Sequence, residues 1–144
     1  MSYEIFNPPA LGPARGWNNG MLAAAGGRVL FIAGQTARAE NGRVPDSDFV
    51  TQFGSALDNI LEVLAAAGGS PTDIGRMTVF VTDVQVYRDS LRELGEVWRP
   101  RMGRHYPAMA LLGVTELVDP NARVEIEATA VIAPDRAAAG ADQA

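Results

Sequence analysis

The chain contains no cysteine and no lysine, and each absence excludes a class of function. Without cysteine there is no disulfide framework, no thiol nucleophile and no cysteine-ligated zinc, and a reducing cytoplasm suits the protein. Since there is also only one histidine, we expect no metal site and no other cofactor. All 12 basic residues are arginine and the net charge is -5, so we expect no nucleic-acid partner.

Long hydrophobic runs are also missing. No run approaches the roughly 18 residues of a membrane-spanning helix, and residues 1–13 lack the basic and apolar regions of a secretory signal. We therefore expect a cytoplasmic protein that does not enter a membrane. The 144 residues suffice for one domain with a substantial core. We assign this domain to residues 1–133 and predict a disordered, Ala-rich tail over residues 134–144.

Residues 107–133 carry the clearest strand pattern. Two apolar runs flank the turn-rich segment Val118–Ala122, which predicts two antiparallel strands joined by a loop. In the second run Glu125 and Glu127 alternate with apolar residues, so both acids should face away from the core. The first run, Ala108–Val114, has apolar or small residues on both faces, which is typical of a strand covered on both sides.

The first hundred residues predict an arm, a hairpin, and two helices separated by a strand. The pair Gly26-Gly27 can supply the positive φ of a tight turn, so residues 20–33 should form a hairpin. Helical spacing of apolar residues follows twice, and Pro100 should end the second helix because proline cannot continue one. The predicted segments are an extended arm over 1–16, helices over 49–64 and 87–98, and a strand over 74–81.

This order of elements predicts an α+β fold, a mostly antiparallel sheet with two helices on one face. The other sheet face is then bare. A large apolar side chain left in water forgoes about 1.5 to 3 kcal/mol, against a typical total stability of about 5 to 15 kcal/mol. We therefore expect the bare face to pack against further copies of the chain.

Five segments occur in an order and spacing that resemble a known family: Gly34-Gln35 after a strand, Ala65–Gly69 before Asp73-Ile74, Val79–Asp83, Tyr106–Ala108 and Val124–Ala128. They make the chain similar to the Rid family, also called the RidA or YjgF family, over nearly its whole length. The resemblance implies a chorismate-mutase-like fold and a homotrimer with a small-molecule ligand in the clefts between subunits. It also implies hydrolysis of reactive enamines and imines, such as 2-aminoacrylate, to keto acids and ammonia.

The resemblance also implies two catalytic positions, and the chain keeps one of them. The family's water-positioning glutamate is present as Glu125, but Met109 stands where an arginine binds the substrate carboxylate, and Trp17 replaces a tyrosine. Losing a charged hydrogen bond costs about 1.5 to 3 kcal/mol, or roughly ten- to a few hundred-fold in affinity. We therefore predict an imine or enamine deaminase whose substrate differs from 2-aminoacrylate.

The predicted site has Glu125 as its catalytic residue and six substrate-binding residues: Gly34, Gln35, Trp17, Met109, Tyr106 and Arg104. Each pattern has a structural alternative: a β-bulge for Gly34, an interface hydrogen bond or ion pair for Glu125, an interface contact for Trp17, and simple packing for His105 and Tyr106. The stretch from Arg99 to His105 is either a solvated connection or the mouth of a site for an anionic small ligand.

Two other functions are compatible with the sequence. The first is a non-catalytic or regulatory trimer that binds a small ligand in the same clefts. The second is an endoribonuclease, an activity attached to some names in the family. The acidic charge and the absence of lysine make the ribonuclease the weakest of the three.

Overall fold

A computed structural model of the chain describes residues 3–136. The strands are β1 (Tyr3–Phe6), β2 (Gly20–Ala23), β3 (Arg28–Gln35), β4 (Ile74–Val81), β5 (Ala108–Gly113) and β6 (Val124–Ile132). The helices are α1 (Phe49–Ala66), α2 (Val84–Asp89) and α3 (Leu91–Met102), with short 3₁₀ helices at Pro9–Leu11 and Pro71–Asp73. No helix within the described range is long and apolar enough to cross a membrane.

The predicted α+β class and the mostly antiparallel sheet are confirmed. The main sheet has the order β3-β6-β4-β5, in which β6 is antiparallel to both neighbours and β5 is parallel to β4. Buried residues of β6 alternate with half-buried or exposed ones, and the buried set joins α1 and α3 in one core. The two long helices therefore cover one face of the sheet. We call the other face, which carries Glu125 and Glu127, the open face.

Helix α1 begins where its cap predicts and fixes the start of β6. Asp48 accepts a hydrogen bond from the Thr51 N–H at 2.8 Å, an N-cap interaction that contributes about 0.5 to 2 kcal/mol. Gln52, fully buried in α1, donates to the Asn121 carbonyl at 3.0 Å and accepts from the Arg123 N–H at 2.8 Å. The chain is thus held in place immediately before Glu125.

The prediction that β5 and β6 form a hairpin is wrong. β4 lies between them and pairs with both. After β4 the chain passes through α2 and α3 before it returns as β5, and such a crossover places two strands side by side and parallel. Residues 114–123 then carry the chain past β4 to its other side, where β6 begins. β5 is consequently an edge strand, and Ala110 and Leu112 on its second face are exposed in the single chain. That further copies of the chain cover this face stays a prediction.

The prediction of a hairpin over residues 20–33 is also wrong. β2 pairs with β1, which lies inside the predicted arm, while β3 pairs with β6 in the other sheet. Gly26 does have a positive φ, 84°, but its turn passes the chain from one sheet to the next. β1 has only four residues, and its last two, Ile5 and Phe6, are both apolar, so no strand alternation distinguishes it from an unpaired arm.

The second predicted helix is divided and runs further than expected. α2 and α3 are separated by Ser90, and Pro100 lies inside α3. Because proline has no N–H, the carbonyl four residues earlier, that of Glu96, loses its helical hydrogen bond. Both residues are exposed, so water can bind that carbonyl. The helix instead ends at Met102 and is capped by Gly103, whose φ is 60° and whose N–H donates to the Arg99 carbonyl at 2.9 Å.

Asp73 ties the end of the described chain to the core. Its side chain is 0% exposed, and Arg136 donates to its two carboxylate oxygens at 2.7 and 2.8 Å. The Ser70 N–H donates to the same carboxylate at 2.7 Å. Arg136 belongs to the predicted tail, so the beginning of that segment is attached to the domain, and residues 137–144 lie outside the described part of the chain.

We expect acidification to destabilise the fold through Asp73. Burial alone would raise the pKa of this carboxyl, but its hydrogen bonds, including that from Ser70, and the charge of Arg136 outweigh burial and lower the pKa. A lowered pKa in the folded state stabilises the protein above the unfolded-state pKa of about 3.9, and this contribution is lost as the pH falls from there through the folded-state value. Urea unfolding at a series of pH values should show the loss. Asp73→Asn should be less stable at neutral pH and should lose less stability in acid. If acid lowered the free energy of unfolding equally in both proteins, Asp73 would not be the group responsible.

Candidate functional site

A pocket of about 300 Å³ lies on the helix side of the sheet, beside the edge strand β5. Met109 and Leu111 of β5 and Val79 of β4 form its sheet side, because these positions face the helices. The rest of the lining is mainly aromatic and apolar, with two arginines and two glycines. These residues are Trp17, Tyr87, Trp98, Tyr106, Phe53, Leu91, Leu94, Arg15, Arg99, Gly16 and Gly95.

Two hydrogen bonds from Asn18 hold the N-terminal segment beside this pocket. Its side-chain amide donates to the Tyr106 carbonyl at 2.7 Å and its main-chain N–H donates to the Pro107 carbonyl at 3.1 Å. Trp17 is therefore held beside Tyr106, which stacks on Trp98 with ring centroids 5.8 Å apart and planes 3° from parallel. Two distant parts of the chain thus form one aromatic wall.

His105 supports this wall. Its Nε2–H donates to the Ile74 carbonyl at 2.7 Å, and its own carbonyl accepts from the Trp98 indole N–H at 3.2 Å. Both bonds fix the turn between α3 and β5. These contacts support the structural alternative for His105, packing at the start of a strand.

Glu125 lies on the open face, in contact with Gly34. A Cβ atom at Gly34 would be 2.5 Å from Oε2 of Glu125 and 2.9 Å from its Cδ, so only glycine leaves room for the carboxylate where it stands. The pairing of β3 with β6 shifts register between Ile32 and Gln35, which indicates a bulge with an extra residue outside the regular ladder. The structural alternative for Gly34, a bulge, is therefore present, and its role in binding a substrate stays a prediction.

The predicted site residues fall into two groups within one chain. Trp17, Met109 and Tyr106 line the pocket, whereas Glu125 and Gly34 meet on the open face. Gln35 follows Gly34 at the bulge, and its side-chain amide donates to the Ala33 carbonyl at 3.1 Å. Arg104 is exposed and lines neither place. A single copy of the chain does not bring the acid and the pocket together.

Several pocket residues are not predicted from the sequence. Tyr87, Leu91, Leu94 and Trp98 fit the apolar side of a core helix, and nothing in their spacing distinguishes a pocket wall from a packed core. Gly95 does carry a signal, since glycine inside a helix costs about 1 kcal/mol relative to alanine and indicates a packing or functional reason.

The arginines near the pocket differ in their contacts. Arg101 is held by Asp58 through two hydrogen bonds, Nε to Oδ1 at 2.7 Å and Nη2 to Oδ2 at 3.1 Å. Arg15 and Arg99 line the pocket and form no ion pair within residues 3–136. No group of three or more His, Asp or Glu side chains in that range could hold a metal ion. The positive charge available to a bound molecule therefore comes from two arginines.

Comparison with known proteins places both regions inside one matched segment. The family model described as Endoribonuclease L-PSP matches residues 9–132. A RutC family protein of Pyrococcus horikoshii is 32% identical over 131 residues, which cover 90% of this chain and 98% of that protein. A Capra hircus protein named 2-iminobutanoate/2-iminopropanoate deaminase is 30% identical over 128 residues, 88% of this chain and 85% of its own length.

The fold agrees with these sequence matches. The crystal structure of YyfB from Yersinia pestis, described as a protein of unknown function of the conserved Rid protein family, is 30% identical and has a TM-score of 0.80. The similarity covers 92% of this chain and 100% of that one. Since both the family model and the relatives span the pocket, the Gly34 bulge and the strand of Glu125, this chain belongs to the Rid family, also called the YjgF family.

Proposed function

We propose that this chain is a hydrolase that converts an imine or enamine to a carbonyl compound and ammonia, at a site shared between copies of a cytoplasmic homotrimer. The observation that carries the proposal is the Glu125 carboxylate, which lies against the Gly34 main chain on the open face. The relative named 2-iminobutanoate/2-iminopropanoate deaminase supports the reaction class.

The reaction needs one water molecule and one group that transfers protons. As the water oxygen bonds to the imine carbon, Glu125 accepts a proton from that water and passes it to the imine nitrogen, which gives an amine on the same carbon as the new hydroxyl. Glu125 then accepts the hydroxyl proton and passes it to the nitrogen as the C–N bond breaks, so the products are a carbonyl compound and ammonia. A positioned acid–base group of this kind contributes about 10²- to 10⁴-fold to the rate. Neither step requires a metal or an organic cofactor.

The positions of Glu125 and the pocket favour a shared site. They lie on opposite faces of one sheet, so the acid of one copy can reach a molecule in the pocket only if that pocket belongs to another copy. The open face also carries exposed apolar side chains, Phe31 at 80%, Val29 at 57% and Leu112 at 41%. Burying such side chains against another copy stabilises an assembly by about 1.5 to 3 kcal/mol each.

The substrate should be larger and less polar than 2-aminoacrylate. Met109 provides no charge for a carboxylate at the position where the resemblance implies an arginine, and Leu111 extends the apolar surface beside it. A three-carbon imino acid would leave most of a 300 Å³ pocket unfilled.

A non-catalytic trimer that binds a small ligand is the second candidate, because Met109 removes a charge from the pocket while the pocket itself is retained. The endoribonuclease activity in the family model's description has less support. With a net charge of -5 and no lysine, the chain lacks the clustered cations that bind a phosphate backbone.

The first experiment measures ammonia release from freshly generated aliphatic and aromatic imines by the wild type and by Gly34→Ala. The added Cβ would stand 2.5 Å from the Glu125 oxygen, so the flexible carboxylate should move while the fold remains. We expect the rate to fall about a hundredfold, the effect of a misplacement of about 1 Å, with little change in thermal stability.

Gly20→Ala is the matched control. A Cβ at Gly20 would make an ordinary contact, 3.4 Å from the Phe6 Cβ, so this variant should keep wild-type activity. Failure of the wild type to release ammonia from any imine would reject the hydrolase and favour the binding protein.

A further inference from the structure

We infer that the pocket binds a carboxylate that carries an aromatic or bulky apolar group, with Arg15 and Arg99 holding the carboxylate. The inference names a substrate class and rests on the proposed function, because it takes the pocket as the substrate site. Three features of the pocket carry it: two arginines that form no ion pair with any described residue, an aromatic lining, and a glycine that keeps the pocket open.

The charge at the pocket is positive, and neither of its arginines forms an ion pair within residues 3–136. Arg15 comes from the N-terminal segment and Arg99 from α3, yet both line the same pocket, and no acidic side chain is among its described lining residues. By contrast, Arg101 and Arg136 each contact an aspartate. A guanidinium group binds a carboxylate through paired, charge-assisted hydrogen bonds. Two such groups at one opening therefore favour an anionic ligand and supply the charge that Met109 does not.

The rest of the lining favours a flat or bulky apolar group. Trp17, Trp98 and Tyr106 form an aromatic wall, and Met109 and Leu111 form an apolar surface on the sheet side. Small-molecule sites typically have volumes of about 300 to 1,000 Å³ and combine apolar walls with a few polar groups. At about 300 Å³ this pocket suits a single ring on a short acid chain.

Gly95 keeps the pocket open. A Cβ at this position of α3 would meet nothing nearer than Nη1 of Arg99, at 3.7 Å. A larger side chain there would extend into the pocket without striking the core. Because glycine is a poor helix former, replacing it should also maintain or raise the stability of α3. Gly95→Leu should therefore fill the pocket and leave the chain folded.

The test is calorimetric binding of three probes to the full chain: 3-phenylpropanoate, its neutral amide 3-phenylpropanamide, and the small acid propanoate. We expect 3-phenylpropanoate to bind at least about tenfold more tightly than either of the others, since each of them lacks one of the two recognised features. Equal binding of the acid and its amide would overturn the inference.

Substitution of the two arginines tests whether they bind the carboxylate of the probe. Arg15→Ala and Arg99→Ala should each weaken binding of 3-phenylpropanoate by about tenfold, and the double variant should bind the acid no better than the amide. Arg92→Ala is the control, because Arg92 is an exposed arginine of α3 that pairs with Glu96 outside the pocket. An equal loss of affinity in the control would overturn the inference, as would unchanged affinity in the double variant.

Two further variants separate the inference from the proposed function. Gly95→Leu should unfold at or above the wild-type temperature but lose binding of 3-phenylpropanoate; a well-folded variant that still binds it would overturn the inference. Glu125→Gln should bind this probe as the wild type does while losing turnover. Arginine-dependent binding without any imine hydrolysis would reject the proposed function alone, and hydrolysis unaffected by both arginine substitutions would reject the inference alone.

Discussion

Glu125→Gln should lower kcat for imine hydrolysis by about 10²- to 10⁴-fold, the contribution of a positioned acid–base group. Glutamine keeps the size of the side chain, so it can still stand beside Gly34 without the clash that a Cβ would create there. It cannot accept a proton from water at neutral pH. The loss should therefore appear in kcat with little change in thermal stability, measured by ammonia release at saturating substrate and by thermal unfolding.

Glu127→Gln is the matched control for this substitution. Glu127 lies two residues after Glu125 in β6, on the same open face, and is exposed. In β4 its neighbour is Thr78, whereas the neighbour of Glu125 is Phe80. Its replacement removes the same charge from the same face but from a place away from Gly34. Equal losses in the two variants would show that the charge of the face, rather than the acid at Gly34, matters for the reaction.

Phe31→Asp should dissociate the assembly and abolish hydrolysis together. Phe31 is 80% exposed in the single chain, and burying a phenylalanine contributes about 1.5 to 3 kcal/mol in each copy. Aspartate removes that contribution and would place a charge in the contact between copies, which costs more. Light scattering at micromolar concentration should give a trimer for the wild type and a monomer for the variant. The variant should still bind 3-phenylpropanoate, because one chain supplies the whole pocket.

Leu22→Asp provides the comparison. Leu22 is also an exposed strand residue, but it lies in the small sheet of β1 and β2, which does not pair with the main sheet. This variant should remain trimeric and active. A monomeric wild type, or an active Phe31→Asp monomer, would contradict the proposal that the site is shared.

Local patterns predicted the parts of the fold that depend on local chemistry. Strand β4 has the predicted bounds, Ile74–Val81, and α1 begins after its Asp48 cap. The alternation in β6 placed Glu125 on the face away from the core, where it lies. Each of these features follows from the period of a strand or from a cap, and a short window of sequence contains that information.

The pairing of the strands could not be predicted in the same way. Turn residues between β5 and β6 indicate that the chain reverses direction, but they do not say which strand becomes the neighbour. The crossover through α2 and α3 decides that, because it places β5 beside β4. β1 has the same difficulty, since its partner β2 begins fourteen residues after β1 ends.

The pocket is harder still to predict, because its residues come from parts of the chain that are far apart in sequence. The hydrogen bond from Asn18 to the Tyr106 carbonyl spans 88 positions, and the stacked pair Trp98 and Tyr106 joins a helix to the turn after it. Arg99 follows Trp98 in an arginine-rich stretch, and its position at the pocket depends on the orientation of α3. Charge patterning alone leaves open whether such an arginine is solvated or binds a ligand.

A mixture of two inactive variants provides the most direct test of a site shared between copies. Glu125→Gln retains the pocket without the acid, and Gly95→Leu retains the acid with the pocket filled. In trimers assembled at random from equal amounts of both, about one site in four joins an open pocket to an intact acid from the neighbouring copy. Co-expression should therefore restore about a quarter of wild-type ammonia release, calculated for a cyclic trimer. If each variant is inactive alone and their mixed trimers are inactive as well, the site is not shared.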